Sequence, residues 1–145
     1  MLVVGCSEPI NIDELVRKEG IWFSKDTNKL YSGKSVELWE NGQKDFEVTL
    51  KNGKADGKAT EWNKNGQKSL EATFKDGELD GRETHWYVNG QKSYEGTYKD
   101  GEKDGKTVYW DENGQKRIEE TYKDGYRISS KCWDEDGKEM DCPWW

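Results

Sequence analysis

Apolar and polar residues alternate along most of this chain, and the alternation recurs with a period of 24 residues. One copy covers residues 57–63, turns, and returns over residues 68–75. Alternation with period two, bounded by Asn-Gly and Asp-Gly, predicts two strands joined by a tight turn. Because the unit recurs at a constant spacing, we expect a stack of β-hairpins.

The Asn-Gly-Gln-Lys turn varies least between copies and recurs at residues 41–44, 65–68, 89–92 and 113–116. Residues directly opposed in a hairpin share a face of the sheet. A loop with an odd number of residues keeps the apolar positions of both strands together. We therefore predict a three-residue loop over residues 64–66, built as a type I turn with glycine in the left-handed region.

The even period suggests that parity carries through all copies. Even positions are mostly apolar or aromatic, and odd positions hold mainly Glu and Thr, which places Trp62 and Leu70 on one face. The predicted fold is all-β: an elongated antiparallel meander of repeated hairpins in a single sheet, with about ten to twelve strands and a marked twist. The predicted aromatic stripe consists of Trp62, Phe74, Trp86, Tyr94, Tyr98, Trp110 and Tyr122.

Two interpretations of the stripe remain open. The rings can pack on one another and cover a sheet that has no second layer. Alternatively, they form an exposed groove that binds a partner, since Trp and Tyr are enriched at binding hot spots.

Composition excludes a thick globular core, because 31% of the residues are hydrophobic and 37% are charged. The regular order of apolar and turn residues, with 12% aromatics, argues against disorder. A formal net charge of -7 argues against a nucleic-acid partner.

The ends of the chain differ from the repeats. Residues 1–6 resemble the end of a bacterial lipoprotein signal in which Cys6 is lipidated, the alternative being an incidental cysteine. We expect a tether with a short helix capped by Asn11 over residues 7–19. The repeat domain covers residues 20–142 and opens with a divergent hairpin, and residues 143–145 form a tail.

Cys132 and Cys142 flank the last turn at equal distance and equal parity. Their side chains are therefore predicted to meet across a hairpin and form a disulfide, provided that the protein resides outside the cytoplasm. The alternative is a pair of reduced, unrelated thiols.

No catalytic residues and no metal site are predicted. His85 is the only histidine, and we expect it at the surface of the polar face. No nucleophile has a base beyond that residue, which excludes a catalytic triad. The prediction is a protein that is not an enzyme and binds no cofactor.

The segments 74–81 and 98–105, together with the Asn-Gly-Gln-Lys turns, resemble the variant MORN repeats of bacterial proteins. More closely, the chain resembles the exported lipoproteins grouped as YwqK-family antitoxins. The resemblance covers about residues 30–142 and implies consecutive antiparallel hairpins and a toxin–antitoxin association. It supplies no catalytic motif.

The sequence therefore predicts a non-enzymatic, protein-binding repeat scaffold, specifically an envelope immunity or antitoxin protein that sequesters a toxin. The alternative is a cell-surface anchored module that binds envelope glycan or another membrane-associated partner. The expected location is the bacterial envelope, periplasmic or at the cell surface, with membrane contact only through a lipid on Cys6.

Overall fold

The computed structural model describes residues 8–143, and these residues are almost entirely β. Eleven strands form one sheet and two form a separate hairpin. The strands are β1 (Ile10–Asn11), β2 (Leu15–Lys18), β3 (Ile21–Ser24), β4 (Gly33–Leu38), β5 (Lys44–Lys51), β6 (Lys54–Trp62), β7 (Lys68–Lys75), β8 (Glu78–Trp86), β9 (Lys92–Lys99), β10 (Glu102–Trp110), β11 (Lys116–Lys123), β12 (Tyr126–Trp133) and β13 (Glu139–Met140).

Strands β4 to β13 follow one another as an antiparallel meander, each paired with its neighbours along the chain. The short β1 pairs with β4 in parallel at one end. The predicted single-sheet meander of hairpins is confirmed. Within residues 8–143, no helix is long and apolar enough to cross a membrane. The predicted lipidation residue, Cys6, lies outside the described residues.

One set of turns joins the repeats through two-residue loops. Asp76 and Gly77 both have positive φ, at 50° and 94°, and Lys75 pairs directly with Glu78. Positive φ at both central positions is the requirement of a type I′ hairpin turn, which favours Asn-Gly and Asp-Gly. The amide of Gly77 also donates to the carbonyl of Ala55, at 2.8 Å. Each such turn is thereby tied to the preceding repeat.

The other set of turns is the predicted three-residue loop. Gly66 has a φ of 80°, and its amide donates to the carbonyl of Asn63 at 2.8 Å. The amide of Asn63 donates to the carbonyl of Gln67, also at 2.8 Å. The side-chain oxygen of Asn65 accepts from the amide of Gln67 at 3.0 Å. The predicted loop length and the position of its glycine are confirmed.

The predicted sharing of one face by Trp62 and Leu70 is wrong. Glu61 pairs with Leu70 and Trp62 pairs with Lys68, so Ser69 has no partner opposite. This β-bulge places Leu70 on the face of Glu61. Because neighbouring residues in a strand point to opposite sides, Trp62 lies on the other face.

The bulge compensates for the two loop lengths. A three-residue loop pairs residues whose numbers sum to an even value, whereas a two-residue loop gives an odd sum. If every residue of a 24-residue repeat were paired in regular register, successive repeats would therefore turn opposite faces to the same side. The unpaired residues that restore the same orientation in every repeat are Asp45, Ser69, Ser93 and Arg117.

The sheet consequently has two faces that we define by paired residues. The front face carries Val48, Ala59 and Ala72, which pair with one another in adjacent strands. The back face carries Thr60 and Glu71, which also pair.

The N-terminal hairpin, β2 and β3, covers the front face of the first repeat. Leu15 is 4% exposed and packs with Val48, Leu50 and Ala59. Backbone hydrogen bonds fix this cover at the first two-residue turn. In this turn, formed by Asn52 and Gly53, the carbonyl of Gly53 accepts from the amide of Trp22 at 2.8 Å. The hairpin gives this stretch of the sheet the second layer that the rest of the front face lacks.

The predicted helix near the N-terminus is reduced to one 3₁₀ turn, Ile12–Glu14. Its cap is as predicted, because the side chain of Asn11 accepts from the amide of Asp13 at 2.9 Å. Leu15–Lys18 is a strand because it pairs with Ile21–Ser24. In the predicted opening hairpin, Phe23 and Leu30 form a single bridge, while the main partner of β3 is β2.

The last hairpin contains the predicted disulfide between Cys132 and Cys142, whose Cα atoms are 5.1 Å apart. Cys132 lies beside Met140 in the β12–β13 pairing. The bond joins the short terminal strand to the end of the sheet.

We expect the purified protein to be lighter than its reduced form by the mass of two hydrogen atoms. Reduction should lower the free energy of unfolding by about 2–3 kcal/mol, the chain-entropy value for a loop of this length. Intact mass spectrometry and urea unfolding check both results. Equal masses with both thiols open to alkylation would contradict the prediction.

Candidate functional site

The front face changes character along the sheet. One row of equivalent positions is Leu50, Phe74, Tyr98 and Tyr122. Its first member is buried beneath the N-terminal hairpin, and its last two lie beyond that cover. Tyrosine suits an uncovered face because its ring is apolar and its hydroxyl can remain hydrated or hydrogen-bonded.

An open apolar cleft of about 390 Å³ lies between the N-terminal hairpin and the front face. Trp22 contributes from the hairpin, Ala59 from the centre of the sheet, and Phe46, Leu70 and Phe74 from the surrounding strands. A volume of this size is in the range of ligand-binding clefts. Ala59 lines the cleft and is itself buried, because it also packs with Leu15 of the hairpin.

Charged side chains also line the cleft. They are two cations, Arg17 and Lys54, and one anion, Glu61. The guanidinium of Arg17 lies over the ring of Trp22, with Cζ 5.6 Å from the ring centroid. The cleft therefore combines apolar walls with a few polar groups that can orient a ligand.

Beyond the cleft, the front face is covered by a tyrosine layer, formed by Tyr94, Tyr98, Tyr109 and Tyr122. The hydroxyls of Tyr94 and Tyr98 are 2.6 Å apart and meet above Gly96. A Cβ atom at Gly96 would lie 2.3 Å from the Tyr94 hydroxyl. Glycine is required here because the two rings occupy the space above its backbone.

Lys103 lies within this layer. Its Nζ is 5.6 Å from the ring centroid of Tyr94, 5.7 Å from that of Tyr109 and 4.8 Å from that of Tyr122. It also donates to the hydroxyl of Tyr109 at 3.2 Å. These cation–π contacts are attractive and hold the rings together. The tyrosine layer is thus a self-packed cover rather than an empty groove.

We expect Gly96→Ala to lower the free energy of unfolding by about 1–3 kcal/mol, because the added methyl group must displace Tyr94 or Tyr98. The matched control is the same substitution in a Tyr94→Leu background, which reproduces the Leu70 and Ala72 pair of the preceding repeat. Urea unfolding of the four proteins should show that the control removes most of the cost. An equal cost in both backgrounds would contradict the steric explanation.

Burial raises the pKa of Tyr94, Tyr98 and Tyr122 above the usual tyrosine value. Unfolded tyrosine ionises near pH 10. Above about pH 10 the unfolded chain releases protons that the folded chain retains, so the free energy of unfolding should fall as pH rises. Urea unfolding midpoints measured on both sides of pH 10 test this expectation. Tyr98→Phe should reduce the loss of stability between the two pH values. A flat profile would contradict it.

His85 lies on the front face, because it pairs with Leu70 and Tyr94, and not on the predicted polar face. Its Nε2 is 3.0 Å from a carboxylate oxygen of Glu83, and its ring contacts Tyr94 edge-on at 5.2 Å. Over residues 8–143, no group of three or more His, Cys, Asp or Glu side chains is placed to hold a metal ion.

The back face carries one ion-pair cluster in each repeat. Glu71 accepts from Lys68 at 2.5 Å and from Lys58 at 3.3 Å. The hydrogen bond from Lys68 is the largest cause of the lowered pKa of Glu71. The same arrangement recurs around Glu47, Glu95 and Glu119.

The tryptophans lie beside these clusters. Lys44 Nζ is 5.4 Å from the ring centroid of Trp62, and Lys92 Nζ is 5.9 Å from that of Trp110. Each lysine comes from the strand before the tryptophan's own strand. The rings of Trp62 and Trp110 therefore pack against cations on the back face.

The predicted aromatic stripe is divided between the two faces by the bulge. The front-face members are Phe74, Tyr94, Tyr98 and Tyr122, and the back-face members are Trp62, Trp86 and Trp110. Sequence reasoning missed the cleft. The available signals were the apolar Leu15 and Trp22 ahead of the repeats and the small residue at Ala59, which leaves space on the front face.

Three stretches of the chain match the sequence model of the MORN repeat variant: residues 55–76, 79–100 and 103–124. They coincide with the β6–β7, β8–β9 and β10–β11 hairpins. No curated protein and no solved structure matches the chain. MORN repeats are repeat scaffolds of the kind used for binding. Residues 55–124 are therefore similar to MORN repeats of the variant type, in three consecutive copies.

Proposed function

We propose that this protein is a non-enzymatic scaffold that binds a protein partner, and that the partner is a toxin which it sequesters as an immunity or antitoxin protein. The observation that carries the proposal is the open apolar cleft between the N-terminal hairpin and the sheet. A desolvated pocket that receives one large side chain is the usual centre of a protein–protein hot spot.

The aromatic side chains favour a protein over a glycan as the partner. Sugar rings are bound by exposed aromatic faces, but cations lie over the rings of Trp62 and Trp110. The tyrosine layer is likewise packed around Lys103. The cleft has aliphatic and aromatic walls, which suit an apolar side chain.

The location is part of the same proposal. The sequence ahead of residue 8 resembles a lipoprotein signal with Cys6 as the lipidated residue. A disulfide persists in oxidising compartments, and the Cys132–Cys142 bond supports export to the bacterial envelope. The protein is then held at the membrane through lipid alone.

A growth assay tests the toxin proposal. Products of neighbouring genes are exported singly in a sensitive host, with and without this protein. We expect the wild-type chain to restore growth against one of them and to bind that product when both are purified. Failure against every neighbouring product, with binding to purified cell wall instead, would contradict the proposal.

The cleft is tested with a charged substitution. Leu70→Lys should weaken binding of that product by about 30-fold, which corresponds to a hot spot of about 2 kcal/mol. The matched control is Thr97→Lys on the exposed back face, which should leave binding unchanged. Both variants are first checked for native unfolding transitions. Equal binding by the two folded variants would exclude the cleft as the docking site.

A further inference from the structure

We infer that the cleft receives an apolar side chain with a carboxylate beside it, so that the protein partner docks through an acidic residue adjacent to its apolar anchor. This inference rests on the proposed function in one respect, namely that the occupant is a segment of a protein. It adds the chemistry by which that segment is recognised.

The chain itself shows which side chains fit this face. Its N-terminal hairpin places Leu15 on Val48 and Leu50, where Leu15 is buried. The turn of the hairpin contains Gly20, which lines the cleft together with Trp22. The front face therefore accepts an aliphatic side chain from a β-hairpin above it. The cleft is the adjoining stretch, where the chain's own hairpin stops.

The small residues of the sheet make room for such a side chain. Ala55 and Ala59 line the cleft, and the larger Leu70 and Phe74 stand at its sides. Because these walls are apolar, a large apolar side chain gains free energy in proportion to the area it buries there. The apolar walls thus supply affinity for the anchor but no preference for a charge beside it.

The charged residues of the cleft supply that preference. Arg17 and Lys54 are two cations against one anion, Glu61, in a chain with a formal net charge of -7. Among the described ion pairs, none joins Arg17 or Lys54 to a carboxylate. The cleft is therefore a locally positive site on an acidic protein, and an anionic neighbour of the anchor complements it.

A matched pair of probes tests the inference. N-acetyl-tryptophan carries a carboxylate beside its indole, whereas N-acetyl-tryptophanamide is neutral. Each is titrated into the full chain while the methyl signals of Ala55 and Ala59 are followed by NMR. We expect both to shift these signals, and the acid to bind about fivefold more tightly at low salt, as for an exposed ion pair.

Charge variants identify the groups responsible. The double variant Arg17→Gln with Lys54→Gln should remove the preference for the acid, so that the acid and the amide bind with equal affinity. Glu61→Gln should increase the preference. The control Lys58→Gln with Arg82→Gln removes two cations from the back face and should change neither value.

Three results would overturn the inference: unshifted alanine methyl signals, equal affinities for the two probes, or a preference that survives the Arg17 and Lys54 substitutions. These results are independent of the toxin assay. A preference for the acid without rescue from any toxin would overturn the proposed function alone. Rescue without such a preference would overturn this inference alone.

Discussion

Deletion of Ser69 leaves the repeat sheet folded, whereas deletion of Glu71, two residues later in the same strand, destabilises it strongly. Ser69 is the unpaired bulge residue, so its removal preserves the pairing of Glu61 with Leu70 and of Trp62 with Lys68. Without Glu71, either Leu70 or the residues after it must turn to the wrong face, because strand side chains alternate. We expect a loss of at least about 3 kcal/mol, similar to a large core truncation.

Urea unfolding of the two deletion variants measures the difference. The comparison distinguishes the bulged pairing of β6 with β7 from the pairing without a bulge that the parity of residue numbers predicts. In the regular register, Trp62 and Leu70 would share a face, and removal of Ser69 would turn over every residue that follows it. Unfolding of the Ser69 deletion variant would therefore contradict the bulged register.

Gly53→Ala detaches the N-terminal hairpin and lowers the free energy of unfolding by about 3–5 kcal/mol. The backbone at Gly53 has a φ of 76°, which disfavours alanine. An added Cβ would also lie 2.6 Å from a methyl carbon of Ile21 and 2.7 Å from the carbonyl oxygen of Trp22. The substitution therefore combines backbone strain with a clash against the docked hairpin.

Gly101→Ala is the matched control, because Gly101 occupies the same type of turn with a φ of 82° and nothing closer than 3.8 Å to its added Cβ. It should show the backbone cost alone, about 1–2 kcal/mol. The difference between the variants measures the docking of the hairpin. Urea unfolding followed by Trp fluorescence measures the loss of stability in both variants. Equal losses would mean that the hairpin is not held against Gly53.

The turns and the disulfide could be predicted from the sequence because each depends on a few adjacent residues. The Asn65-Gly66 pair specifies its loop through local backbone conformation and a side-chain hydrogen bond. Cys132 and Cys142 lie at equal distances from one turn, which fixes their meeting once the hairpin forms.

The division of the aromatic residues between two faces could not be predicted. It depends on the bulge residue, which is Asp45, Ser69, Ser93 or Arg117 in the four repeats. These residue types share no property that marks a bulge. Parity counted from the loop alone therefore predicts that Trp62 and Leu70 share a face.

The cleft was missed because it is formed by contacts between distant parts of the chain. Leu15 packs against Val48 and Leu50, which lie more than one repeat later. No periodic signal within the repeats indicates where the N-terminal hairpin docks. The same long-range contact decides which part of the front face is covered and which part remains open.

The most direct test of the central claim is photo-crosslinking in the protein's own cells. A benzophenone amino acid replaces Leu70 in the cleft or, as the control, Thr97 on the back face. After irradiation, adducts are purified and identified by mass spectrometry. We predict one covalent protein adduct at position 70, competed by excess N-acetyl-tryptophan, and none at position 97. Adducts formed equally at both positions, or at position 97 alone, would contradict the claim that a protein partner docks in the cleft.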